Sequence, residues 1–216
     1  MHRALTDVGD RREPLCLQLG FFLASWGMYR GSTVLLQRSV RHLAPVIEAI
    51  AQSPDAAWDI AANGYSSEAI DVLLDIDRRI RAALPDAATD TLITKIMLGV
   101  FGSVPAFDAY FRAGSGWRSF TRSTLAAIGS YYRENADVID RFLVPTLDFP
   151  MGRDTTRRYT RAKVIDMAFF MEGSGGRIRD VQPPPVHDLA GAAARQAFAI
   201  LPPSVLDQQP SAVRKE

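Results

Sequence analysis

The chain of 216 residues holds a single cysteine, Cys16, and three scattered histidines, His2, His42 and His187. One thiol excludes an internal disulfide and suits a reducing, cytoplasmic compartment. Without a Cys/His cluster no spacing would ligate zinc, so neither a metal nor a cofactor is expected. A glycine-rich phosphate loop, the Ser-x-x-Lys and Gly-x-Ser-x-Gly nucleophile motifs and a His-Glu helix pair are all missing. "GSGG" at 173–176 follows a helical pattern instead of a strand, so it reads as a helix stop. The longest apolar run near the start, Leu15 to Met28, is too short to span a bilayer and contains Gln18 and Ser25, so no membrane partner is expected. The charged opening, broken by Pro14, does not read as a secretory signal.

What is present is ordinary in amount and uneven in placement. Apolar residues make up 47% and charged residues 23%, enough for one soluble domain with a real core. The formal net charge of +1 hides an asymmetry. From Pro45 to Phe111 ten acids stand against four bases, a net of −6; from Arg112 to Arg179 twelve bases stand against seven acids, a net of +5. Such a division can mark an anion-binding face, or only helix faces solvated by the charge at hand. Arginine, not lysine, carries nearly all of the positive charge.

Apolar spacing is helical almost throughout, and no internal repeat or strand stands out. Leu17 to Tyr29 is apolar on most sides and reads as a buried helix ended by Gly31. A second stripe runs Leu36, Val40, Leu43, Ile47, Ile50, with Pro45 expected to kink or split it. Ser66 or Ser67 caps an amphipathic helix with Ile70, Leu73, Leu74, Ile80 and Leu84 inward, and with Asp71, Asp75, Asp77, Arg78 and Arg79 toward water. Thr89 or Asp90 caps the next helix, whose inward set is Leu92, Ile93, Ile96, Met97, Val100 and Phe101. The segment from Trp117 reads as two helices, "VPTLDFPMG" as a loop, and "RRYTRAKVIDMAFFM" as the last helix. The expected fold is an all-α bundle of about seven helices over residues 1–179, followed by a Pro/Ala-rich tail, 180–216, with one optional helix.

The stretch "TKIMLGVFGSVPAFDAYF", residues 94–111, is nearly all apolar yet keeps Lys95 and Asp108. Asp108 follows a proline turn among aromatics, a setting in which a carboxylate can serve as a base or electrostatic stabiliser. The plainer role is N-cap of a short helix holding Tyr110 and Phe111; in the catalytic reading Tyr110 and Lys95 are substrate contacts. Lys95, one residue before the inward pair Ile96–Met97, is either a snorkelling lysine or a desolvated nucleophile. "SWGMYRGS" sets Trp26, Tyr29 and Arg30 at a helix end, suited to a phosphate, a carboxylate or a stacked base, or to capping the helix. Arg157, Arg158, Arg161 and Lys163 are expected near one helical face, either as phosphate contacts, joined by Arg112, Arg118 and Arg122 from the basic half, or only as a solvated face. Asp166, alone on an apolar helix, needs a buried partner, for which Lys95 or Arg30 would serve.

"TKIMLGVFG" followed by "VPAFDAYF", with "AKVIDMAFF" later, resembles bacterial proteins distantly similar to helix-hairpin-helix DNA glycosylases, over residues 65–172. That resemblance implies an all-α enzyme that flips a damaged base and cleaves its N-glycosidic bond, with Asp108 as the catalytic aspartate and DNA as the partner. It assigns no role to Lys95. Where such proteins carry a Gly-hydrophobic-Gly hairpin that holds a DNA phosphate, this chain has "LGVFGSVPA", its glycines three apart with no base following. Three readings therefore stand: a glycosylase-like enzyme, a non-catalytic nucleotide or nucleic-acid binder, and a helical interaction protein in which Asp108 is only a cap.

Overall fold

The computed structural model describes residues 8, 9, 11–31, 33–148 and 150–175; the expected 180–216 tail lies outside them. Its order is α1 (Arg12–Ser25), two 3-10 turns (Val34–Gln37, Val40–Leu43), α2 (Ala44–Ala51), two more (Asp55–Trp58, Ala62–Gly64), then α3 (Ser67–Ala83) and α4 (Asp90–Val100). After these come α5 (Ala109–Ser115), α6 (Arg122–Glu134), α7 (Ala136–Ile139), a 3-10 turn (Asp140–Phe142), strands β1 (Pro145–Leu147) and β2 (Asp154–Arg158), and α8 (Arg161–Gly173). The fold is all-α. By its contacts the hairpin, Val144–Arg158, forms a unit of its own, apart from the helical unit on either side of it in the sequence.

Hydroxyl and carboxylate caps set most helix starts. Side chains of Ser66, Thr89, Asp108, Thr121 and Thr160 each accept an amide hydrogen from the first turn of the helix that follows. Pro45 lies in the first turn of α2, where its missing N–H costs nothing. The stripe is therefore split at Pro45, as one of the two expected outcomes had it: two 3-10 turns precede a helix that begins beside the proline. α1 differs from expectation too. Its core side buries Leu15, Cys16, Leu19 and Leu23, but Leu17 and Phe21 are 52% and 81% exposed.

α4 is the most enclosed element, with every residue from Leu92 to Leu98 buried. Its polar members are satisfied. Thr94 Oγ1 donates to the Asp90 carbonyl (2.6 Å) and accepts from the Phe107 amide (2.8 Å). At Gly102, φ is +66°, a left-handed stop of the kind glycine provides after a helix. α5 and α8 cross at two glycines. A Cβ on Gly114 would overlap the Phe169 carbonyl oxygen, and one on Gly173 the Tyr110 carbonyl oxygen. Phe107, Phe111, Phe120, Trp117, Tyr131 and Phe169 build an aromatic cluster in this part of the core, with ring centroids 4.9–6.2 Å apart.

The hairpin corrects two expectations at once. Asp148 takes amide hydrogens from Met151 and Arg153 on its carboxylate, and its own amide donates to the Arg153 carbonyl. The turn so formed pairs Pro145 with Arg158 and Leu147 with Asp154, antiparallel and with an irregular register between. Because Thr160 caps α8, the helix starts only at Arg161, and Arg157 and Arg158 lie on β2. They share no helical face with Arg161 and Lys163. Asp77 is a third correction. Expected in water, it is buried and held by Arg81 Nε at 2.8 and 3.0 Å.

Candidate functional site

Four elements converge on one cluster of charges. Trp26, one residue beyond α1, offers its carbonyl to Lys95 Nζ of α4 (3.2 Å). Lys95 Nζ also stands 3.8 Å from Asp108 Oδ2 at the start of α5, the two side chains being 8% and 13% exposed. On α8, Lys163 Nζ donates to Asp166 Oδ2 (3.0 Å) one helical turn on. The Trp26 indole lies among the lysines, its centroid 5.1 Å from Lys95 Nζ and 4.1 Å from Lys163 Nζ. The expected lysine–aspartate pair thus exists, though its separation is that of an ion pair and too long for a hydrogen bond.

Each aspartate is also tied to the backbone. The Phe111 amide donates to Asp108 Oδ1 (3.0 Å), which makes Asp108 the N-cap of α5. The Ala106 amide donates to Asp166 Oδ1 (2.9 Å), fixing the proline turn against α8. Asp166 does need a partner, and that partner is Lys163 from its own helix, not Lys95 or Arg30. Burial pushes the Asp166 carboxyl above its ordinary pKa, and the Asp108 charge adds to this; Lys163 and the Ala106 amide oppose it. Burial likewise draws the Lys95 ammonium below its ordinary value, against the pull of Asp108 and Asp166 and with help from Arg30 and Lys163.

The other expected binding residues are dispersed. Tyr29 is half-buried, its hydroxyl near Gly20. Tyr110 is half-exposed and packs edge-on against Phe170, 5.0 Å between centroids. Arg30 is exposed, and its Nε reaches the Gly27 carbonyl at 3.5 Å. Four of the bases expected to meet phosphate are seen facing acids of this same chain, and Arg158 too is engaged. Arg112 stands 3.9 Å from Asp90, Arg122 pairs with Asp71, Arg161 with Asp140 at 3.0 Å, and Lys163 with Asp166. Arg118, Arg157 and Arg158 are exposed.

Asp90 went unrecognised as more than a cap. It gathers Arg81 Nη2 (2.5 Å), the Phe120 amide (3.1 Å) and Arg112, so it ties α3, the segment before α6 and α5 to the first turn of α4. No local pattern signals this, because the amide and Arg112 lie more than twenty residues away. Two surface depressions, of about 620 and 260 Å³, are lined by Asp71, Asp75, Arg78 and Arg122 with neighbours, and by residues 133–138; neither includes a residue of the lysine–aspartate cluster. No helix among the described residues is long and apolar enough to cross a membrane. Comparison with family models, with curated proteins and with solved structures finds no match for this chain.

Proposed function

We propose that this chain is a non-catalytic helical interaction protein in which Lys95, Asp108, Lys163 and Asp166 act as an internal staple. The observation that carries this reading is that both carboxylates are engaged within the chain itself. Asp108 and Asp166 each hold one backbone amide and one lysine, and so join α1, α4, α5 and α8. Neither of the two surface depressions described above includes a residue of this cluster. Lysine ammoniums on the Trp26 ring also compete with a base for its π-face. Apolar residues left in water, Phe21 above all, give the chain a surface for a protein partner.

One observation favours the glycosylase-like reading: Asp108 follows its proline turn with Lys95 beside it, as the sequence resemblance requires of the aspartate. A single experiment separates the two. Wild type and Asp108→Asn, which keeps an N-cap acceptor, are titrated with short single- and double-stranded DNA across a range of salt. Strand integrity after alkali is read in the same samples. The interaction reading expects no abasic cleavage by either protein. Cleavage by wild type that Asp108→Asn abolishes would overturn it in favour of the enzyme. Steeply salt-dependent binding without cleavage would overturn it in favour of a nucleic-acid binder.

A further inference from the structure

α1 is apolar on two opposite sides. Leu15, Cys16, Leu19 and Leu23 face the core, and Pro14, Leu17, Phe21 and Ala24 form a second stripe on the outside. Their spacing, three then four then three, is that of a helix–helix seam. Phe21 at 81% exposed and Leu17 at 52% are its centre. A phenylalanine in mid-helix with most of its surface in water is not a product of core packing.

From this stripe we infer that α1 is a self-association surface, its occupant the α1 helix of a second copy packed antiparallel about a two-fold axis. The inference deepens the interaction reading and rests on it. The spacing is self-complementary. Leu17 and Phe21 lie symmetrically about position 19, as do Pro14 and Ala24. In an antiparallel pair centred there, each Leu17 meets the partner helix at its phenylalanine, and each Pro14 meets it at its alanine, large on large and small on small.

The helix dipole selects the same direction. Exposed Glu13 and Arg11 stand at one end of the stripe, so the side chains there carry both signs. Arg12, next to Glu13, is already held by Glu48 at 2.9 Å. Antiparallel packing aligns the helix dipoles favourably, the positive end of each α1 beside the negative end of its partner, whereas parallel packing would set like ends together. With 14 residues α1 is only about 21 Å long. The contact falls at the small end of specific interfaces, and association in the micromolar range is expected.

The test is the molar mass of the full chain by sedimentation or light scattering, from about 1 to about 200 µM. The mass should rise from 23.8 kDa toward twice that value with concentration. Phe21→Asp and Leu17→Asp should stay monomeric with unchanged far-ultraviolet circular dichroism. Val138→Asp, at an apolar residue 54% exposed on α7, should associate like wild type. Mixed Leu17→Cys and Phe21→Cys chains should oxidise to the 17–21 heterodimer in more than the statistical half of products. A monomer at every concentration overturns the inference, as does association untouched by Phe21→Asp. A monomer that Phe21→Asp destabilises also overturns it, since the stripe would then serve the chain's own residues. None of these outcomes decides the DNA experiment, and Asp108-dependent cleavage would overturn the interaction reading whatever the mass.

Discussion

At the scale of single residues, what matters in the cluster around Trp26 is which charges burial opposes. Asp166 is 3% exposed, and folding favours its protonated form, so its pKa in the folded chain lies above the ordinary 3.8. Stabilisation from such a group is complete below pH 3.8 and is lost as pH rises through the raised value. Asp166→Asn copies the neutral form and keeps an acceptor for the Ala106 amide. Urea denaturation at a series of pH values should therefore show the stability of Asp166→Asn improving relative to wild type as pH climbs through that window. A difference that does not change with pH would mean that the carboxylate is better solvated, or better paired with Lys163, than its burial implies. Lys95 illustrates a different point. Its ammonium neutralises Asp108 and also closes the carbonyl end of α1, so one side chain serves two helix termini.

At the scale of elements, the tightest demand is the α5–α8 crossing. Replacing a helical glycine by alanine normally gains about 1 kcal/mol in propensity. At Gly114 and Gly173 the added carbon would strike backbone oxygens, which cannot rotate away, and overpacking of this kind costs about 1–3 kcal/mol or more. Gly114→Ala and Gly173→Ala should each lower stability by about 2 kcal/mol, measured by chemical denaturation. Gly64→Ala, where a Cβ meets nothing within 4 Å, should not.

Elements with a regular apolar period and a hydroxyl in front were legible in the sequence. α3 behind Ser66 and α4 behind Thr89 lie where their caps and stripes placed them. The strands were not. β2, "DTTRR", carries no alternation of apolar and polar residues, and its pairing depends on a turn wound around Asp148, a choice made by hydrogen bonds and not by periodicity. The site was half legible. Asp108 and Lys95 announced themselves by being charged in an apolar stretch. Their partners are set by tertiary packing: Lys163 looked like a surface base, and nothing local shows that it turns to Asp166 and the Trp26 ring.

At the scale of the whole molecule, the division into an acidic and a basic half closes on itself in part. Arg112–Asp90 and Arg122–Asp71 run between the two halves, and Arg161–Asp140 and Lys163–Asp166 neutralise charge within the second. A run of like charge along a sequence predicts an electrostatic face only if folding does not bring the opposite sign to it. The same scale gives the one cysteine a use. Cys16 lies on the core side of α1, 3% exposed, with its thiol pKa raised by burial. Thiol reagents attack the thiolate, so the sulfur can react only when α1 leaves the core. Labelling of the native chain should run about a thousandfold or more slower than that of the unfolded chain. If it accelerates with urea as steeply as global unfolding does, α1 departs with the rest of the molecule; a shallow dependence would mean that it peels away alone. A single sulfur atom thereby becomes a clock for how often this protein opens, read by the appearance of a coloured leaving group.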